Sequence, residues 1–265
     1  MSTYDHYETL KVEVADQIAV VTINRPDVKN AINAAMHEEI GNIFYDLAVD
    51  ESVHAVVITG AGDTFCSGGS AHDLIHAEPA DFTYEWMRFM RRLATSQLEM
   101  DQPVICALNG DAVGGGAMIA LYCDIVIGAD GAKISDPHVT YEGIAAGTGA
   151  FLPWIMQLGV VRAKYHLMTG APLTAREAAD AGLINECLPA DDVMPRAMEL
   201  ARQFADGPGL AIRATKRIIN KVVEILAVGT LEYAGEKERV TLYSADFKEA
   251  VTAQVEEREP TYQNR

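Results

Sequence analysis

Two short runs of small residues could do chemistry through their backbone: Cys66-Ser67-Gly68-Gly69-Ser70 and Val113-Gly114-Gly115-Gly116. No side chain blocks the amides of these glycines. At a helix start the first N–H groups lack partners and carry a partial positive charge. Two such amides converging on one point form an oxyanion hole, which stabilises charge developing on a carbonyl oxygen. The same glycines could instead serve tight turns or close packing. The residues alone leave both readings open. Neither run matches G-x-x-x-x-G-K-[ST] or G-x-G-x-x-G, which argues against a nucleotide phosphate loop. His72 and His76 have i, i+4 spacing, but no third ligand stands at a persuasive distance along the chain, so no metal site is expected.

The elements that must position these turns alternate. Thr9–Ala15 and Ile18–Asn24 read as a hairpin, and Ile32–Leu47 as a helix with apolar residues at Met36, Ile40, Ile43 and Leu47. His54–Thr59, Val104–Leu108, Asp124–Gly128 and Lys133–Ser135 read as strands, and Ala80–Glu99 and Ala117–Tyr122 as helices. Strand, Gly-rich turn and helix recur, which predicts an α/β fold. From about Phe151 the chain turns mainly helical: Ala163–Thr169, a helix opened by the capping box Thr174-Ala175-Arg176-Glu177, one from Asp191, then Ala211–Val228 and Glu232–Glu257.

Composition bounds the function. The chain has 265 residues, half of them apolar, and a net charge of −17. That charge argues against nucleic acid and gives no help at an anionic membrane surface. No run approaches the length of a membrane span, the N-terminus lacks a basic and apolar leader, and the four cysteines have no metal-ligand spacing. A reducing, cytoplasmic setting is expected.

Several segments together resemble the crotonase (enoyl-CoA hydratase/isomerase) superfamily: Asn24-Arg25-Pro26, Phe65-Cys66-Ser67-Gly68-Gly69, Ala107 to Gly116, Cys123-Asp124-Ile125, Thr169-Gly170 with Gly182-Leu183-Ile184, and the stretch ending Glu256-Glu257-Arg258. The resemblance implies a spiral of ββα repeats over residues 1–200 and a helical oligomerisation region over 201–265, packed into homotrimers or hexamers. It also implies that the amides of Gly69 and Gly115 polarise a substrate carbonyl, commonly a CoA thioester. Val28, Lys29 and Ala31 would help cradle the nucleotide, and the backbone at Cys66, Gly68 and Ser70 would line the pantetheine path. CoA would arrive as part of the substrate, and no other cofactor is implied.

The departures from the family matter. Its hydratases carry two carboxylates. Met118 holds the first position and His138, in Asp136-Pro137-His138, the second. Methionine exchanges no useful proton. His138 becomes the candidate base, with an ordinary pKa of about 6.5 that suits proton transfer near neutrality. Its bland alternative is a hydrogen-bonded loop histidine. Glu142 could orient or assist it, or be a solvated loop carboxylate. Thr148 and His72 are further pocket candidates. Gln254 and Glu257 replace an aromatic and a lysine that relatives direct at a neighbouring subunit's CoA. Three functions stay open: an acyl-CoA enzyme with a changed base; a CoA-independent hydrolase that cleaves a carbon–carbon bond in a β-dicarbonyl compound; and a non-catalytic oligomeric binding protein.

Overall fold

The computed structural model describes residues 4–69, 91–92, 95–147 and 149–264. Most of the expected helix at 80–99, with Ser70, His72 and Thr148, lies outside the described residues.

Strands β1 (Leu10–Ala15) and β2 (Ile18–Ile23) form the antiparallel hairpin. Its turn residues, Asp16 and Gln17, both have positive φ, at 49° and 65°, which matches the twist of the flanking strands. Helix α1 (Ala34–Ala48) starts at Asn33, whose side chain accepts a hydrogen bond from the Met36 amide at 2.9 Å. Its face of Met36, Ile40, Ile43, Phe44 and Leu47 is buried.

Three strand pairs follow: β3 (Ala55–Gly60) with β4 (Thr64–Cys66), β5 (Val104–Leu108) with β6 (Asp111–Val113), and β7 (Ile125–Ala129) with β8 (Lys133–Ser135). In each pair the first strand joins one sheet and the second joins another. With β9 (Leu173–Thr174) and β10 (Glu186–Leu188), the larger sheet runs β1-β2-β3-β5-β7-β10 and the smaller β4-β6-β8-β9. Each repeat thus advances the chain by one strand in both sheets, which makes a spiral. Strands β3 and β5 are buried along their whole length, as expected for a parallel sheet covered on both faces.

The smaller sheet positions the site. Strands β4, β6 and β8 are parallel, with Cys66 opposite Ala112 and Val113 opposite Ser135. The segments that follow them therefore leave the sheet at the same edge: 67–69, 114–116 and 136–142. Helix α2 (Gly115–Leu121) opens directly on the second, two residues earlier than the apolar pattern indicates.

The helical part departs from its expected boundaries. Helix α3 spans Phe151–Thr169 with a break at Gly159 (φ 75°, ψ 163°), where only Ala163–Thr169 is expected. Helices α4 (Ala175–Ala181), with its capping box, and α5 (Ala190–Ala205) match closely. The expected break between Val228 and Glu232 is absent: α6 runs unbroken from Gly209 to Leu242. One glycine weakens a helix interior by only about 1 kcal/mol and need not end it. The break comes at Ser244, which caps α7 (Ala245–Val255) by accepting from the Phe247 amide at 3.1 Å. Helix α7 then packs on the 138–142 turn. Among the described residues no helix is long and apolar enough to cross a membrane.

Candidate active site

The first glycine turn is held by the segment before α1. Asn30 is buried, accepts from the Arg25 amide (2.8 Å) and donates to the carbonyls of Ala61 (2.9 Å) and Thr64 (2.7 Å). Lys29 and Asn30 adopt left-handed backbone. This lays Lys29 to Ile32 along the turn: Ser67 N–H donates to the Lys29 carbonyl at 3.1 Å, and Ile32 N–H to the Gly68 carbonyl at 2.8 Å. The Arg25 guanidinium donates to the Ala31 carbonyl, and Val28 stays exposed beside it. Because the Gly68 carbonyl points at Ile32, its planar trans peptide turns the Gly69 N–H the opposite way.

The glycines divide into two kinds. Gly68 has φ +82°, and a Cβ on it would stand 2.6 Å from the Val113 carbonyl oxygen and 3.6 Å from the Gly115 nitrogen. A Cβ on Gly116 would stand 2.2 Å from the Cys66 carbonyl oxygen. These two are glycine because the loops touch. Gly69 is different: a Cβ there would meet no described atom within 4 Å, and its φ is not left-handed. At Gly115 a Cβ would meet only the flexible end of the Ile32 side chain, at 2.7 Å. Among the described residues neither packing nor backbone geometry demands glycine at 69, and at 115 the demand is weak. The packing reading therefore holds at Gly68 and Gly116. Cys66 contributes only backbone, since burial pushes its thiol up to about 12.

The third segment carries the titratable groups. His138–Glu142 forms a single wide turn, closed by Ile144 N–H donating to the His138 carbonyl at 3.1 Å. His138 Nδ1 lies 2.5 Å from Oδ1 of Asp136, whose side chain is 1% exposed. The other Asp136 oxygen has no hydrogen-bond partner among the described residues. Burial alone would disfavour the imidazolium, but the facing carboxylates of Asp136, Glu142 and Glu238 outweigh it and hold His138 up to about 10. Glu142 is pushed above the usual carboxylate range by burial, partly drawn back by the His138 charge and raised again by Asp136. Glu238, buried on α6, accepts from the Gly147 amide at 2.7 Å.

A cavity of about 280 Å³ opens where these segments meet. Ser67, Gly68 and Gly69 line it from the first loop, Val113 and Gly114 from the second, and Pro137, Tyr141 and Glu142 from the third. Val251 and Gln254 of α7 close it, with the Gln254 amide donating to the Tyr141 carbonyl. His138 lies behind Gly114: its Cε1 is 3.6 Å from where a Cβ on that glycine would stand. Gly115 adjoins Gly68 at the start of α2. Met118 is buried in the apolar core and does not line the cavity.

His138 therefore differs from the free base that its sequence position suggests. Asp136 takes up its Nδ1, and the surrounding carboxylates favour its charged form. Asp136 is the residue that sequence reasoning passed over. Its signal is its place two residues before His138, where the bend at Pro137 (φ −93°, ψ 18°) brings the two side chains together.

The family model for enoyl-CoA hydratase/isomerase matches residues 13–265. A probable enoyl-CoA hydratase of Mycobacterium leprae is 30% identical over 264 residues, covering 98% of this chain and 99% of the relative. The short-chain-enoyl-CoA hydratase of Clostridium acetobutylicum is 31% identical over 251 residues, covering 93% and 94%. Among solved structures, an enoyl-CoA hydratase/isomerase from Mycobacterium paratuberculosis superposes with a TM-score of 0.88 at 31% identity, covering 94% of this chain and 99% of that one. With the spiral, the paired glycine loops and a match over nearly its whole length, the chain belongs to the enoyl-CoA hydratase/isomerase family.

Proposed function

We propose that this protein hydrates α,β-unsaturated acyl-CoA thioesters. The thioester oxygen would accept hydrogen bonds from the amides of Gly69 and Gly115. Those bonds strengthen as negative charge gathers on the oxygen when water adds to the β-carbon, and that difference is what accelerates the reaction. The 136–142 turn supplies the acid–base group. Water, thioester and protein complete the reaction, so no separate cofactor is required.

One observation carries this reading. Gly69 lines the cavity that Glu142 also lines, its amide is turned away from Ile32, and among the described residues nothing around it requires glycine. An open amide beside a carboxylate is what addition to a conjugated carbonyl needs. The relatives named above as enoyl-CoA hydratases support the thioester class. Assembly into trimers through the helical region fits the exposed apolar side chains of α6, among them Ile218, Ile219, Val222 and Ile225. Incubation with a short trans-2-enoyl-CoA should give the 3-hydroxyacyl-CoA, one water heavier by mass spectrometry. Unchanged substrate across a range of chain lengths would overturn the assignment.

A further inference from the structure

From the core outward, the third loop stacks three titratable groups. Asp136 is innermost at 1% exposure, and His138 lies outside it against Gly114. Glu142 alone of the three lines the cavity. We propose that Glu142 is the catalytic acid–base residue of this site, and that His138, clamped by Asp136, is a positioning residue that acts through it. The assignment rests on the enoyl thioester reading above, and it reverses the roles that the sequence suggests for His138 and Glu142.

Geometry gives the reasons. Asp136 occupies His138 Nδ1 at 2.5 Å, so the ring is fixed in rotation and has only Nε2 to offer. The carboxylates facing that ring come from every side: Asp136 from its own loop, Glu142 from the same turn, and Glu238 from α6. From α7, the uncharged Gln254 side chain reaches the turn at the Tyr141 carbonyl, while the Asp246 carboxylate is taken up by the amides of Gln263 and Asn264. An imidazole in that setting keeps its proton and holds its charge toward Glu142. No described hydrogen bond ties up the Glu142 carboxylate, so its oxygens are free for substrate and water.

The proton count closes with one carboxylate. Glu142 takes a proton from water as the water oxygen bonds to the β-carbon. The electron pair of the double bond moves onto the thioester as an enolate held by the two amides. The Glu142 carboxyl then returns a proton to the α-carbon as the enolate collapses. The product is the 3-hydroxyacyl thioester, and Glu142 ends as a carboxylate. His138 stays protonated throughout. A chain with Met118 at one family carboxylate position needs such a single-residue relay.

The test compares Glu142→Gln and His138→Gln in the full-length enzyme. Glu142→Gln should lower kcat by about 10²–10⁴-fold, the range of a lost acid–base group, with acyl-CoA affinity nearly unchanged. His138→Gln should lower kcat less. It should also move the acid limb of the kcat/KM profile to higher pH, because removing the cation raises the Glu142 pKa. Carbon-13 NMR of labelled glutamate, assigned with Glu142→Gln, reads the same shift without turnover. A Glu142→Gln enzyme within tenfold of wild type would overturn the assignment, as would a Glu142 titration that His138→Gln leaves in place. A wild type without hydration activity would instead remove the functional reading, and this assignment with it.

Discussion

Gly116 lies directly against Cys66: a Cβ on Gly116 would stand 2.2 Å from the Cys66 carbonyl oxygen. This contact holds the second glycine loop against the first, and it separates glycines that pack from glycines that expose an amide. Gly116→Ala should destabilise the fold by about 1–3 kcal/mol, the usual range for overpacking. Gly69→Ala, whose Cβ would meet no described atom within 4 Å, should stay within about 0.5 kcal/mol of wild type. Urea unfolding of both variants checks the contrast. Equal losses would mean that Gly69, too, is glycine for packing.

The Asp136–His138 pair makes stability depend on pH. His138 is held up to about 10 in the folded chain, against about 6.5 for a free histidine. The folded state therefore binds the proton more tightly than the unfolded state. That contribution is complete below about pH 6.5 and is lost as pH rises toward 10. Asp136→Asn removes the paired carboxylate, so its urea midpoint should fall less steeply over that window than wild type's. Parallel slopes would contradict the pairing.

On the inner face of α6, Lys216 is buried, with its Nζ 2.7 Å from Asp124 Oδ2 and 2.7 Å from the Gln102 carbonyl. Asp124 also accepts from the Val104 amide at 2.7 Å, which ties α6 to the start of β5. Asp124→Ala would leave the ammonium buried without its partner. Lys216 is buried but Asp124 is partly exposed, so the expected loss is about 1.5–3 kcal/mol, the range for a hydrogen bond to a charged group. A change under about 1 kcal/mol in the same unfolding assay would show that Lys216 is satisfied by the Gln102 carbonyl alone.

What the sequence made legible was local. Helical spacing in α1, the β-branched runs of β2 and β3, and the Thr174 capping box each act over a few residues, and each can be read without neighbours. The shared sheet edge that gathers 67–69, 114–116 and 136–142 follows from the parallel pairing of β4, β6 and β8, which no local pattern encodes. Gly229 shows the opposite error. It lies in the gap expected between Val228 and Glu232, yet α6 continues through it, with Ala227 and Leu231 buried on either side and only a small propensity loss to overcome. Asp136 was missed because its importance lies in burial: the same Asp-Pro-His run on an exposed loop would be an ordinary polar turn.

The account stands on two amides drawing charge onto one thioester oxygen, and the bound carbonyl reports this directly. Isotope-edited infrared spectra of butanoyl-CoA carrying carbon-13 at the thioester carbonyl should be recorded free and in excess protein. Strong polarisation by Gly69 and Gly115 predicts a carbonyl stretch moved to lower frequency on binding. A bound thioester whose carbonyl keeps its solution frequency would contradict the account.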